Sequence, residues 1–246
     1  MDGAEAIYKR ALDAEPDNAD TLSDYAVFLW QVRKDMDGAE TLHKRALDAD
    51  SDNAKTRGNY ADFLSEVRKD MDGAEELYKR ALAAASDDAN TLGSYAIFLQ
   101  HVREDMNGAE SFYKRAIDAD PADANVLGNY AQLLLAQGRE NGLDHLDQAI
   151  AALPNEAPDV QSSLGVELAV YAYAHDVRRP IDERLKAIKA RILEGGRAPG
   201  WDFSANIEQA EREKHPNLKL LRAIVAVVSD GADVSTLDAF PQWRKA

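Results

Sequence analysis

Five histidines, at positions 43, 101, 145, 175 and 215, are the side chains best suited to acid–base or metal chemistry in this sequence. No two stand three or four residues apart, so no helix face offers the paired imidazoles that a zinc site uses. The chain has no cysteine, which excludes disulfides, thiolate metal sites and a cysteine nucleophile. No serine sits in a G-x-S-x-G turn, and Gly195-Gly196-Arg197-Ala198-Pro199-Gly200 follows no strand as a phosphate-cradling loop would. His175-Asp176 precedes Arg178-Arg179-Pro180, residue types that suit a helix C-terminus, where exposed carbonyls favour cations. The expectation is a non-enzyme with no catalytic residues, no cofactor and no metal. The enzymatic alternative is a site in 157–246, which would require His175, Arg178, Arg197, Trp201 and Asp202 to converge on one pocket.

The remaining chemistry-bearing residues recur. MDGAEAIYKRALDAE at the start is followed by MDGAETLHKRALDAD from 36, MDGAEELYKRALAAA from 71 and MNGAESFYKRAIDAD from 106, a period of 35 residues. Residues 1–35 and 36–70 are identical at 23 of 35 positions, which implies internal duplication. Asp2, Asp37, Asp72 and Asn107 each stand three before Glu5, Glu40, Glu75 and Glu110, the spacing of a helix capping box. The same glutamates stand four before Lys9, Lys44, Lys79 and Lys114, a stabilising helical pair worth about 0.3–0.5 kcal/mol. These charges read as helix structure, not as a catalytic group.

Each unit must then be two helices. Ala4, Ile7, Tyr8, Ala11 and Leu12 share one helical face, a break follows at Glu15-Pro16-Asp17-Asn18, and Leu22, Tyr25, Ala26, Phe28, Leu29 and Val32 make a second apolar stripe. No segment alternates with period two, so strands are not expected. One such pair cannot bury both its faces, and repeated pairs therefore stack. Tyr25, Tyr60, Tyr95 and Tyr130 are expected in the core, and His43 stands where sister units carry Tyr.

The register of small and aromatic residues resembles the tetratricopeptide repeat. It falls on Ala39, His43 and Ala46, on Ala74, Tyr78 and Ala81, and on Ala109, Tyr113 and Ala116, with Ala26, Ala61, Ala96 and Ala131 as the small residue of the preceding helix. Pro16 and Pro121 occupy the proline position, replaced by Ser51 and Ser86 in the other units, and the family's usual 34-residue period is lengthened in the RKDMDG turn. The resemblance implies an all-α fold, an α-solenoid of stacked antiparallel helix pairs in a right-handed superhelix. Residues 1–156 would form the array, beginning with the second helix of a repeat and continuing for about three and a half pairs. The array would end with a helix near 140–153, the second of its repeat, and residues 157–246 would form a degenerate helical C-terminal cap, with helices near 162–176, 180–196, 204–215 and 216–231 and a short one at 233–240.

In this family the first helix of each pair lines a concave groove that holds a peptide or helix of a partner. Positions that vary between units while the core repeats are the candidates for that surface: Asp20, Asp24, Val27, Trp30 and Gln31; Lys55, Asn59, Asp62 and Glu66; Asn90, Ser94, Ile97, Gln100 and His101; Asn125, Asn129 and Gln132. Among them Trp30 is expected as an exposed interface anchor. Asn59 and Asn129 match the position where some family members hold a peptide backbone or a terminal carboxylate. The clamp that takes acidic chaperone tails needs Lys or Arg around it, and Lys55 alone among acids and amides does not supply it.

The net charge is −15, with 45% hydrophobic and 30% charged residues. That balance argues against nucleic acid and anionic membrane, whose phosphates need clustered basic residues. A neutral to basic protein or peptide partner fits. No signal-like start and no spanning stretch is present; LLRAIVAVV at 220–228 is too short and carries an arginine, so a cytoplasmic location is expected. The function expected is a protein–protein interaction scaffold, with a regulatory or targeting module of a larger effector as the alternative. Met1 stands in register with Met36, Met71 and Met106, so the first helix is expected to leave an apolar face uncovered and to promote self-association through residues 1–30.

Overall fold

The computed structural model describes residues 2–246, Asp2 in its backbone only, and among them it contains helices and no strand. The sequence expectation placed on Met1 lies outside the described residues. The chain divides into two compact units, Met1–Ala119 and Asp120–Ala246.

The first unit holds α1 (Asp2–Ala14), α2 (Ala19–Phe28), α3 (Met36–Ala49), α4 (Ala54–Phe63), α5 (Met71–Ala84), α6 (Ala89–His101) and α7 (Met106–Ala119). The helical hairpins are α2–α3, α4–α5 and α6–α7, and α2 also packs on α4 and α4 on α6. Local chemistry sets the boundaries. Asn18, Asn53 and Asp88 accept from the amides of Thr21, Thr56 and Thr91 and so cap α2, α4 and α6. The second helices are capped by Asp35, Asp70 and Asp105, which accept from Gly38, Gly73 and Gly108 at 3.0, 3.0 and 2.9 Å. This corrects the capping box expected at Asp37, Asp72 and Asn107. The helices begin one residue before Asp37 and Asp72, so an earlier aspartate reaches the orphan amide. The displaced carboxylates pair instead with Arg68 and Arg103, both at 2.6 Å. The fourth proposed cap, Asp2, has no described side chain.

The lengthened period has a structural expression. α2 and α4 run on into π-turns, Leu29–Arg33 and Leu64–Arg68, which take one residue more per turn than an α-helix. The chain then reverses through Lys34, Lys69 and Glu104, all left-handed at φ 60°, 58° and 55°.

Close packing is carried by alanines with no exposure at all: Ala26, Ala61 and Ala96 on the first helices, Ala39, Ala46, Ala74 and Ala81 on the second. At Gly58 a Cβ would stand 2.9 Å from the Thr91 Oγ1, so the approach of α4 to α6 depends on glycine. Aromatic pairs fill each hairpin, with Tyr60 stacked on His43 at 5.2 Å and Tyr95 on Tyr78 at 5.2 Å. A repeated arginine clamp crosses each boundary: Arg68 reaches Glu40 at 2.6 Å and lies over the Phe63 ring, and Arg103 reaches Glu75 at 2.7 Å and lies over Phe98. The same glutamates pair with Lys44 and Lys79 at 2.6 Å, as the spacing predicts. On α1 the sister alanines Ala4 and Ala11 are exposed, and Ile7 is 65% exposed.

The second unit holds α8 (Ala124–Ala136), α9 (Gly142–Ala152), α10 (Pro158–His175), α11 (Ile181–Leu193), α12 (Ser204–Arg212), α13 (Leu218–Val228) and α14 (Pro241–Lys245). Here α10 is the central helix, packed on α8, α9, α11, α12 and α13. It is apolar on several faces at once, with Leu164, Val166, Leu168, Val170, Tyr171 and Tyr173 all buried, which is what a helix surrounded by others requires. The short helix expected at 233–240 is a 3-10 turn, Val234–Ala239. α14 was not legible in PQWRKA. It forms because Trp243 is buried and Lys189 holds the Trp243 carbonyl at 2.8 Å with its ammonium over the indole. Among the described residues no helix is long and apolar enough to cross a membrane.

Candidate functional site

The first helices of three consecutive pairs place their variable positions around one cavity of about 350 Å³. α2 and its π-turn supply Val27, Trp30 and Gln31; α4 and its π-turn supply Asn59, Asp62, Ser65 and Glu66; α6 supplies Ser94, Ile97, Phe98 and His101, followed by Val102. Tyr78 of α5 enters from behind. Nine of the residues singled out from the sequence thus share one wall-to-wall space.

Trp30 is not the exposed anchor expected. It is 9% exposed and stands edge-on to Phe63 at 5.8 Å, so it forms a wall rather than a projection. Asn59 donates to the Ser23 hydroxyl at 3.0 Å, which fixes its amide at the cavity edge. Asp62 lies deeper. It accepts from the Tyr78 phenol, and the Ser94 hydroxyl stands 3.4 Å away. Burial pushes the Asp62 carboxyl up to about 6, against the pull of the Tyr78 hydrogen bond, and the negative charge of Glu66 adds to the rise. Glu66 is itself raised by its partial enclosure, with the Lys69 ammonium acting in the opposite direction.

Other expected surface positions have different fates. Asp24 and Lys55 form an ion pair at 2.7 Å, so neither presents a free charge. Asp20 accepts from Asn53 at 3.0 Å beside the α1–α2 turn, away from the cavity. Asn90 is exposed. Gln100 is buried and accepts from the Tyr113 phenol at 2.9 Å, which makes it part of the core and not of a solvent-facing surface. In the second unit Asn125 is exposed, Asn129 is half-buried, and Gln132 is buried at 3% exposure, again inside rather than on the surface. Ser65, Tyr78, Phe98 and Val102 complete the lining; Ser65 varies between copies as Trp30 and Gln100 do, while the repeat marked Tyr78 and Phe98 as core, and they are core residues whose edges reach the space.

The histidines and arginines of the second unit do not form one pocket. His175 is buried, its Nδ1 3.4 Å from Glu213 and its Nε2 3.3 Å from the Asn206 amide, and burial pushes its pKa down. With Glu213 it borders a separate space of about 250 Å³. Arg178 turns away to Asp176 at 3.0 Å and Asp147 at 2.9 Å, and Arg179 joins the same network. Arg197 donates to the Ile192 and Gly196 carbonyls, while Trp201 donates to the Tyr171 phenol. The convergence that the enzymatic alternative required is not found.

Residues 112–151 match the tetratricopeptide repeat family. Over those residues the chain carries a tetratricopeptide repeat. Solved structures of the same fold include pilF of Pseudomonas aeruginosa, 17% identical, with a TM-score of 0.61 over 94% of this chain and 97% of that one. PilW, a type IV pilus biogenesis factor, is 16% identical, with a TM-score of 0.59 over 92% and 97%. A tetratricopeptide repeat protein from Parabacteroides merdae is 14% identical, with a TM-score of 0.50 over 92% and 77%. At these identities the likeness is one of fold. No curated protein matches this chain in sequence.

Proposed function

We propose that this tetratricopeptide chain is an interaction scaffold that holds a peptide or helix of a protein partner against the first-helix face of its repeats. The observation that carries the reading is the shared cavity: positions that diverge between copies, from Val27 to Asp62 to Ile97, are the ones that meet in a single space. A duplicated array keeps its packing residues alike and differentiates where it contacts something other than itself. The cavity combines apolar walls with a few fixed polar groups, the composition that favours recognition over nonspecific adhesion. The partner segment is neutral to basic, since the chain carries −15 and both charges inside the cavity are carboxylates.

Selection of displayed random peptides against the intact protein tests this. Enriched peptides are expected to bind the wild type and to lose binding to Ile97→Trp, which fills the cavity from α6 without touching the alanine packing. Peptides that bind both proteins equally would place recognition elsewhere on the surface.

A further inference from the structure

Several acidic side chains of the first-unit helices are neutralised by a neighbour: Glu40 by Lys44, Glu75 by Lys79, Asp24 by Lys55. Asp62 and Glu66 are the two carboxylates that line the cavity. They stand four apart on one helix face, both border the cavity, and among the described residues no lysine or arginine forms an ion pair with either. The residues at the same register in the neighbouring copies are Val27 and Gln31 before them and Ile97 and His101 after them, so the carboxylate pair is peculiar to the middle copy. Around it the walls are apolar, with Val27, Ile97 and the Trp30 indole.

We infer that the cavity receives the side chain of a lysine or arginine from the bound segment, its methylene stem along Val27, Ile97 and Trp30 and its cationic head between Asp62 and Glu66. The inference rests on the peptide-binding reading above and deepens it. A long basic side chain is the ligand whose two halves match the two halves of the space. A carboxylate ligand would meet two like charges, and a purely apolar one would leave the Asp62 carboxylate enclosed without a counter-charge. Arginine adds a planar face for the Trp30 ring, and lysine a compact ammonium that shares its three donors between the carboxylates. Tyr78 and Ser94 keep the Asp62 carboxylate oriented while it accepts from the ligand. The groups facing Asp62 are Glu66 from its own helix segment, the Tyr78 phenol from α5, and the His101 imidazole across the cavity on α6. A bound cation favours the charged carboxylate, so binding weakens as acid protonates Asp62.

The test uses four blocked pentapeptides, Ala-Ala-X-Ala-Ala with X lysine, arginine, norleucine or glutamate, titrated into the full chain and followed by amide and indole NMR shifts. The lysine and arginine peptides are expected to shift the Trp30 indole and the Ser94 and Ile97 amides saturably. The norleucine and glutamate peptides are expected to bind about tenfold more weakly or less. The double variant D62N/E66Q, which keeps shape and hydrogen-bonding capacity, is expected to lose the preference for the cationic peptides. If norleucine binds as tightly as lysine at these resonances, the cation site is overturned and the peptide-binding reading survives. If none of the four shifts cavity resonances, the cation site is overturned, and the separate peptide selection against Ile97→Trp then decides whether the wider reading falls with it.

Discussion

The Tyr78 phenol, on the second helix of its pair, donates to the Asp62 carboxylate on the first. One hydrogen bond therefore joins a packing residue to a cavity residue. It holds the carboxylate in place yet does not supply the counter-charge that burial demands, which is why the carboxyl is pushed up to about 6.

Asp62→Asn is accordingly expected to stabilise the fold at neutral pH. The folded pKa lies above the unfolded one, so the contribution of this group is full below pH 4 or so and is lost as pH rises through the folded value near 6. At neutral pH the charged carboxylate costs the wild type about 1–3 kcal/mol, and asparagine removes that cost while still accepting from Tyr78. Urea unfolding of both proteins at acid and neutral pH measures it. Equal stabilities at neutral pH would mean that the carboxylate is better solvated than its surroundings indicate.

His43→Phe is expected to remove an acid sensitivity. His43 is fully buried, neither ring nitrogen has a hydrogen-bond partner, and burial lowers its pKa to about 4. Its folded pKa lies below the unfolded value of about 6.5, so stability is full above that value and is lost as pH falls toward 4. The loss amounts to about 3 kcal/mol over that window. Phenylalanine keeps the stack on Tyr60 and has no proton to take up. Melting temperatures of the two proteins are expected to diverge on acidification; parallel curves would show that His43 is not the group responsible.

The repeat made the packing legible because duplication fixed it: Ala26, Ala61 and Ala96 and the tyrosines behind them read as core and are core. The candidate surface was legible only in part. Variation between copies marks a position as differentiated, not as exposed. Position 43, 78 or 113 carries His, Tyr or Tyr, and residues facing it change to suit: Asp62 accepts from Tyr78, Gln100 from Tyr113, and Trp30 and His43 both rest on Phe63. Gln100 and Trp30 therefore varied with the core they touch, and were misread as solvent-facing for that reason. The cap position was missed by two residues because Asp35 and Asp37 both stand near the helix start, and only the backbone geometry decides which one reaches Gly38.

Replacing left-handed lysines by glycine separates backbone strain from electrostatics. Lys34 and Lys69 sit at φ 60° and 58°, a region that disfavours any residue with a Cβ. Lys34→Gly is expected to raise stability by about 0.5–1 kcal/mol, the relief of strain less the entropy of a more flexible unfolded chain. Lys69→Gly is expected to gain less at neutral pH, because the Lys69 ammonium favours the charged form of Glu66, whereas the position equivalent to Glu66 in the first copy is the uncharged Gln31. Denaturation midpoints of the two variants, compared in low and high salt, resolve this. The difference between them should shrink in high salt, where the exposed charges are screened, and a difference that salt leaves unchanged would assign it to the backbone.

Ala96→Leu probes the packing that makes the cavity. Ala96 has no exposure, and it lies on α6, one residue before Ile97, on the face turned away from the cavity and into the hairpin. Three extra carbons there must push α6 from its neighbours or force a strained rotamer, at a cost of about 1–3 kcal/mol. Because Ser94, Ile97 and His101 ride on the same helix, the displacement is expected to weaken peptide binding as well as stability. Ile97→Trp, by contrast, is expected to block binding with little loss of stability. A fall in the urea midpoint of Ala96→Leu with its slope unchanged, together with reduced affinity, supports the coupling between core and cavity. An unchanged midpoint would show that the hairpin has room the alanine register denies.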